Sequence, residues 1–124
     1  MPMFAAGSVA ACAITMVCAT GPAPASHSAL TLTLQTTDGA ARTVQLNCDP
    51  ASGTHPKAEE ACAALSEADG KFGSLVKTSV ACPMIYAPLE ATARGHWQGS
   101  PVDYTTEYAN SCVAGAESEG VFAF

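Results

Sequence analysis

The sequence predicts an α+β fold stabilised by two disulfides. An antiparallel sheet of about five strands carries one main helix, or one main and one short helix, on one face. Two observations carry this prediction. Several segments alternate apolar and polar residues, whereas only one segment shows helical periodicity. Strands and helix also do not alternate along the chain, which disfavours a parallel sheet. The 124 residues suit a single domain.

The first two strands form a predicted hairpin. Residues 29–36, with the sequence ALTLTLQT, place leucine at every second position, which is typical of a half-buried strand. Residues 42–48 alternate again, with Val44 and Leu46 pointing inward. The Asp38-Gly39 pair between them is a turn signal, so we expect the two strands to pair antiparallel.

The main helix is predicted between Pro56 and Gly70. Proline suits the first turn of a helix, and residues 54–55 supply the cap region. Apolar residues then recur at spacings of three and four, at Ala58, Ala61, Cys62, Ala64 and Leu65. This apolar face directs Cys62 toward the strand that ends at Cys48.

Three further strands are predicted after a segment of no clear period, residues 70–80. Residues 89–97 and 100–109 flank a Gln98-Gly99 turn and form a second hairpin. The terminal GVFAF, residues 120–124, is expected to be a short apolar strand that docks on the body.

Residues 1–25 are predicted to be a cleaved signal peptide, which leaves residues 26–124 as the mature domain. Residues 4–19 form an uncharged apolar run, and the small residues of Ala23-Pro24-Ala25 suit a cleavage site, although the usual basic start is missing. The alternative is an uncleaved transmembrane anchor, but the run is shorter than the roughly 20 residues that span a bilayer. We therefore expect a secreted, extracellular protein.

The charge of the mature domain disfavours two classes of partner. All five basic and all eleven acidic residues lie in it, which gives a net charge of −6. Nucleic acids and anionic membrane surfaces attract basic proteins, so neither is an expected partner.

Four cysteines remain in the mature domain, at Cys48, Cys62, Cys82 and Cys112. An even number in a small exported domain predicts disulfides, and without a C-x-x-C pair we expect no metal site. Four cysteines allow three connectivities. We favour Cys48 with Cys62 and Cys82 with Cys112, because the first pair is local and joins the helix to the preceding strand.

No catalytic constellation is recognisable in the sequence. The patterns G-x-S-x-G, H-E-x-x-H and the P-loop are absent. The three histidines of the mature domain fall at the new N terminus, in the helix-start loop and in a strand, at His27, His55 and His96. We therefore expect neither enzymatic activity nor a cofactor.

The stretch SVACPMIYAPLE, residues 79–90, is the candidate functional segment. Pro83 fixes its own φ and pushes Cys82 into an extended conformation, and Pro88 does the same to Ala87. Ile85 is β-branched and stiff. A disulfide would also tie this segment to the body, so its conformational entropy is low before any binding event. The segment is then either a stiff connection without a function or a ligand for proteases, which bind extended peptides.

Several motifs resemble those of the Streptomyces-type subtilisin inhibitors. Residues 48–65, with the sequence CDPASGTHPKAEEACAAL, are similar to the family signature of Cys-x-Pro, Gly-x-His-Pro and Ala-Cys followed by leucine. The segment CPMIY is similar to the reactive site of the family. GHWQG, NSC and GVFAF follow in the expected order, so the resemblance covers about residues 29–124.

The resemblance implies a role for each residue of the segment. Met84 and Ile85 are P1 and P1′ of the reactive bond, Tyr86 is P2′, and Asn110 supports the loop. The protease-binding residues on either side are Ala81, Cys82, Pro83, Ala87 and Pro88. The implied disulfides are those favoured above.

The resemblance also implies a fold and partners. The family fold has a five-stranded antiparallel sheet with helices on one face, and its members are secreted homodimers. The expected targets are subtilisin-like serine proteases, with chymotrypsin-like enzymes as a second class because methionine suits both pockets. The chain departs from the best-known family pattern at P4, where Ala81 replaces a methionine. The alternative function is a secreted binding module of the same fold that does not inhibit.

Overall fold

A computed structural model describes residues 27–124, which form one antiparallel sheet with two α-helices. The strands follow the order β3-β2-β1-β4-β5 across the sheet, with bounds Ser28–Thr36 (β1), Ala41–Cys48 (β2), Ser52–Gly53 (β3), Leu89–Trp97 (β4) and Ser100–Tyr108 (β5). The helices are Ala58–Glu67 (α1) and Ser111–Glu117 (α2), with a 3₁₀ turn at Phe72–Ser74. The predicted α+β class is confirmed, whereas the predicted signal peptide lies outside the described residues.

Both predicted hairpins are present, and their registers place the apolar residues on one face. Leu32 pairs with Val44 of β2 on one side and with Ala93 of β4 on the other. Alternate residues of β1 point to the same face, so Leu30 and Leu32 are both fully buried. Period-2 patterning therefore fixes both the strands and the face that they bury.

Both helices pack on this apolar face and complete a single core. α1 contributes Leu65, which is fully buried, and Cys62, whose sulfur bonds to Cys48 at the end of β2. α2 contributes the fully buried Ala114 to the same cluster. The opposite face of the sheet is not covered by any helix of the described residues.

The predicted terminal strand is wrong, although the segment docks as expected. Residues 121–124 form no strand, and the fifth strand is instead the two-residue β3. Val121 and Phe122 are both buried although they are consecutive, whereas a strand packed on one face buries alternate residues. Phe122 inserts between Phe72 and Tyr108, with ring centroids 5.9 and 6.2 Å away.

The start of the main helix also differs from the prediction. Lys57 is the N-cap of α1 and makes no side-chain cap, so residues 54–55 do not cap the helix. The buried His55 ring instead accepts the Lys57 N–H at Nδ1, 2.9 Å away. Its Nε2 lies 2.8 Å from the Val121 carbonyl, so the neutral Nε2–H form satisfies both contacts. This histidine therefore ties the helix start to the C-terminal segment.

No helix within residues 27–124 is long and apolar enough to cross a membrane. The same residues contain no cluster of three or more side chains suited to binding a metal ion.

Candidate functional site

Residues 81–88, the exposed loop, connect the long segment after the 3₁₀ turn to β4 without regular secondary structure. The Met84 side chain is fully exposed, at 103% of its reference value. Its neighbours Ile85 and Tyr86 are 59% and 79% exposed. Three consecutive large apolar or aromatic side chains therefore project into solvent, which is uncommon without a binding role.

The loop is fixed to the body on both sides of these side chains. On the N-terminal side, Cys82 forms a disulfide with Cys112 of α2. On the C-terminal side, the Ala87 N–H donates to the Ala109 carbonyl at 2.8 Å. The predicted pairing of all four cysteines is present in the structure.

Asn110 connects the middle of the loop to the body. Its Nδ2 donates to the Pro83 carbonyl at 3.2 Å and to the Ile85 carbonyl at 2.7 Å. Its Oδ1 accepts the Val113 N–H at 2.9 Å, which makes Asn110 the N-cap of α2. The residue is only 7% exposed, so these hydrogen bonds compete little with water.

The two Asn110 donations fall on opposite sides of one peptide bond. Pro83 precedes the Met84–Ile85 bond, and the Ile85 carbonyl follows it. If that bond were cut, each new end would keep its own hydrogen bond to the same amide group. The disulfide at Cys82 and the Ala87 contact would hold the two ends independently. This geometry limits the separation of the ends after cleavage.

The short helix α2 supports the loop. The sequence prediction allowed a second short helix but did not assign it to these residues. It begins after Asn110, carries Cys112, and presents the Ala116 carbonyl to the segment before the loop. The Thr78 N–H and hydroxyl both donate to that carbonyl, at 2.8 and 3.1 Å. Asn110 is a typical start signal of a helix and Gly120 is a typical stop signal, and together they could have indicated this helix.

The exposed loop itself carries no charged side chain. No charged side chain occurs between Lys77 and Glu90. The loop therefore presents exposed apolar and aromatic side chains to a partner, and it has no charge of its own that would favour a partner of opposite charge.

Near the C-terminal end of the loop, Tyr108 pairs with Leu89 across the β4–β5 ladder. Burial raises the pKa of Tyr108 to about 12, and Tyr104 and Glu117 add to the shift.

None of the three histidines has the surroundings of a catalytic base. His55 has both ring nitrogens engaged by main-chain groups. His96 is exposed and pairs with Pro101 in the β4–β5 ladder, and His27 is exposed before β1. None of the three is therefore hydrogen-bonded to the hydroxyl or thiol of a nucleophile in the described residues.

The fold and the loop together define a small disulfide-bonded protein that presents one rigid, extended segment. A family model described as subtilisin inhibitor-like matches residues 25–110. The chain belongs to this family, as the sequence analysis expected. The family is one of protease inhibitors rather than enzymes, which confirms the expectation that the chain is not an enzyme.

Several Streptomyces proteins are similar over most of the chain. Protease inhibitor SIL-V2 of Streptomyces orinoci is 43% identical over 104 residues, covering 78% of this chain and 95% of the relative. Subtilisin inhibitor-like protein 2 of Streptomyces rochei is 45% identical over 112 residues, covering 82% and 99%. Subtilisin inhibitor of Streptomyces albogriseolus is 41% identical over 116 residues, covering 86% and 81%.

A solved structure also matches the fold. Sermetstatin of Streptomyces caespitosus, solved in complex with Bacillus licheniformis subtilisin, superposes with a TM-score of 0.61. It is 29% identical, and the match covers 78% of this chain and 96% of sermetstatin.

Proposed function

We propose that this protein inhibits subtilisin-like serine proteases by presenting the exposed loop as a slowly cleaved substrate. One observation carries the proposal, namely that Asn110 holds the carbonyls on both sides of the Met84–Ile85 bond. A loop fixed in this way loses little conformational entropy on binding, which favours high affinity. The family and the subtilisin complex of sermetstatin support the choice of target.

Met84 is the proposed P1 residue and Ile85 is P1′. Their exposure leaves both side chains accessible to the pockets of a protease. Ala81, Cys82 and Pro83 then occupy P4 to P2 as an extended strand, and Tyr86 occupies P2′. The small P4 side chain is expected to fill the subtilisin P4 pocket less well than methionine does. Ala87 and Pro88 complete the loop and lead it back into β4.

The proposed mechanism follows from the way in which the ends of the loop are held. The serine of the protease attacks the Met84 carbonyl carbon, and the bond to the Ile85 nitrogen breaks. In an ordinary substrate the amine leaves, and water hydrolyses the acyl-enzyme. Here Asn110 and the Ala87 contact keep the Ile85 amine near the acyl carbon, so the peptide bond re-forms faster than hydrolysis occurs. The complex therefore persists, and slow dissociation dominates its affinity.

The proposal extends to the place of action and to the range of targets. An exported protein meets extracellular proteases, and disulfides persist in that environment, so we propose that residues 1–25 direct secretion and are removed. Methionine at P1 also suits the apolar pocket of chymotrypsin-like enzymes, which form a second proposed class of target. The net charge of −6 disfavours nucleic acids and anionic membranes as partners, and the proposed activity requires no cofactor.

We also propose that two copies associate through the uncovered face of the sheet, as the resemblance implies. On that face Thr33 pairs with Thr43 and Thr92, and Thr92 pairs with Thr105, so four threonines form a row across four strands. Sedimentation equilibrium at micromolar concentrations should give twice the monomer mass, and Thr33→Arg should give the monomer mass. A wild-type protein that sediments as a monomer would refute the dimer.

The test of the function is a titration of subtilisin with the oxidised protein comprising residues 26–124, followed by mass spectrometry of the complex. Stoichiometric inhibition with a trace of cleavage at Met84–Ile85 alone is the expected result. Rapid cleavage at several sites without lasting inhibition would mean that the loop is an ordinary substrate. Neither cleavage nor inhibition would favour the non-inhibitory binding module.

A further inference from the structure

The segment that enters the exposed loop, residues 75–80, depends on few contacts with the body. Val76 and Val80 are 62% and 57% exposed. Thr78 is held by the Ala116 carbonyl, and the Lys77–Glu117 ion pair is long at 3.7 Å and exposed, so it contributes little. Leu75 packs against the core at the start of the segment, and one further hydrogen bond holds its next residue: the Val76 N–H donates to Glu119 Oε1 at 3.1 Å.

Glu119 has a backbone conformation that is unusual for its residue type. Its φ is +57°, in the left-handed region that disfavours residues other than glycine, asparagine and aspartate. The following Gly120 is also left-handed, at +88°, and its N–H donates to the Gly115 carbonyl at 2.9 Å. This arrangement ends α2 and turns the chain toward the buried Val121.

The end of α1 offers an internal comparison. Asp69 has φ +57° and is followed by Gly70 at +76°, whose N–H donates to the Leu65 carbonyl at 2.8 Å. The two helices therefore end in the same geometry, but an aspartate tolerates it better than a glutamate does. Asp69 lines a surface hollow with Trp97 and Gln98, and none of the residues lining it belongs to the exposed loop or its entry segment. The longer side chain at position 119 is the one that reaches the entry segment.

We propose that Glu119 is a positioning residue for inhibition, which acts by holding the Val76 end of the entry segment against the end of α2. This inference rests on the proposed function. The left-handed turn aims the carboxylate at the Val76 N–H, and the hydrogen bond restrains the chain eight residues before Met84. Without it, Thr78 makes the only hydrogen bonds described between residues 75–80 and the end of α2. A protease must then order more chain when it binds, and this weakens inhibition.

The test compares three variants, each designed to separate positioning from stability. Glu119→Gly removes the acceptor and also relieves the left-handed strain. Asp69→Gly relieves the same strain at α1 without touching the entry segment, and it is the matched control. Glu119→Gln retains an oxygen acceptor and is the conservative rescue. Each variant is measured for thermal midpoint, inhibition constant toward subtilisin, and hydrogen exchange of the Val76 amide.

We expect both glycine variants to melt at or above the wild-type midpoint, because strain is relieved in each. Only Glu119→Gly should raise the inhibition constant, by about three- to tenfold, the equivalent of one hydrogen bond. Its Val76 amide should exchange about tenfold faster. Glu119→Gln should stay within about threefold of wild type in both measurements.

Two outcomes would overturn the inference. An unchanged Val76 exchange rate in Glu119→Gly would show that the hydrogen bond does not hold the segment. Faster exchange with an inhibition constant equal to that of Asp69→Gly would show that the restraint does not position the loop. If the wild-type protein itself fails to inhibit, the proposed function fails first, and the exchange rate still reports whether Glu119 holds Val76.

Discussion

Asn110 performs two separable tasks with the two ends of one side-chain amide. The oxygen caps α2 by accepting the Val113 N–H, and the nitrogen donates to two carbonyls of the exposed loop. Aspartate and serine at this position could still accept the Val113 N–H and cap the helix. Neither has an amide nitrogen that could donate to the two loop carbonyls. Substitution at this one position can therefore remove the restraint on the loop while keeping the helix.

Asn110→Asp keeps the cap of α2, but it should lower the free energy of unfolding by about 1–3 kcal/mol, because two buried hydrogen bonds are lost. It should weaken inhibition of subtilisin by about 2–3 kcal/mol, or roughly 30- to 150-fold, because two hydrogen bonds are lost and a carboxylate faces two carbonyl oxygens. Urea titration and an inhibition assay measure the two quantities.

Asn110→Ser is the neutral control for that experiment. It also keeps a cap, but its short side chain does not extend to both loop carbonyls, so a loss of about 1–3 kcal/mol in inhibition is expected without the charge. Wild-type inhibition by both variants would mean that Asn110 is only a helix cap.

The Met84 side chain is fully exposed, so its identity should affect protease choice and not folding. Met84→Lys should bind subtilisin more weakly and gain inhibition of trypsin, whose pocket takes a basic P1 side chain. The free energy of unfolding should change by less than about 0.5 kcal/mol.

Tyr86→Lys is the control for this prediction, because it adds the same charge at a neighbouring exposed position. It should confer no trypsin inhibition. If Met84→Lys keeps full subtilisin inhibition and gains nothing toward trypsin, Met84 is not P1.

At the scale of elements, the sequence predicted the strands and the helix whose apolar residues recur at the period of a strand or a helix. The leucines of β1 and the apolar face of α1 repeat at the spacing of their element, so both hairpins and the main helix are where they were expected. The Cys82-Pro83 pair likewise indicated the exposed loop, because proline restricts the residue before it to an extended conformation.

The elements that the sequence missed depend on contacts between distant residues. α2 has only seven residues, includes Gly115 and shows little periodicity, so its stability comes from the Asn110 cap and from packing against the sheet. The terminal segment is held by His55, which lies 66 residues away from Val121. The contact of Glu119 with Val76 also spans 43 residues, and no local pattern indicates it.

The junction of β5 with α2 should respond to alkaline pH through Tyr108. Burial, with Tyr104 and Glu117, raises its pKa from 10 to about 12, so folding favours the neutral phenol. The stabilisation is complete below pH 10 and is lost as the pH rises through about 12. Urea unfolding should show a loss of about 1–2 kcal/mol across this window, since solvent screens part of the interaction.

Tyr108→Phe should remove most of this pH dependence, and Tyr86→Phe, at an exposed site, should not. Absorbance at the phenolate band should show a titration step near pH 12 in the wild-type protein that Tyr108→Phe lacks. An equal alkaline loss in wild type and Tyr108→Phe would contradict the assignment.

At the scale of the whole molecule, the two disulfides have different tasks. Cys48–Cys62 joins α1 to the sheet, whereas Cys82–Cys112 joins the exposed loop to α2. Closing loops of 14 and 30 residues stabilises the folded state by roughly 3 and 4 kcal/mol in the chain-entropy model. Both contribute to stability, but only the second restrains the segment proposed to enter a protease.

Serine substitution of each pair should separate these tasks. The Cys48→Ser, Cys62→Ser protein should lose about 3 kcal/mol of unfolding free energy and still inhibit stoichiometrically where it is folded. The Cys82→Ser, Cys112→Ser protein should be hydrolysed at Met84–Ile85 as an ordinary substrate. Folding is checked by circular dichroism before each assay, and lasting inhibition by the second protein would show that the disulfide is dispensable to the loop.

Apart from the disulfide at Cys82, the contacts described above that hold the exposed loop are made to its main chain. Asn110 binds the carbonyls of Pro83 and Ile85, and Ala109 binds the amide of residue 87. Every amino acid carries a carbonyl, so this support does not depend on which side chains stand at positions 84 to 86. Natural selection can therefore exchange those three residues one at a time as the proteases around the organism change, while the rest of the sequence continues to encode the same folded molecule.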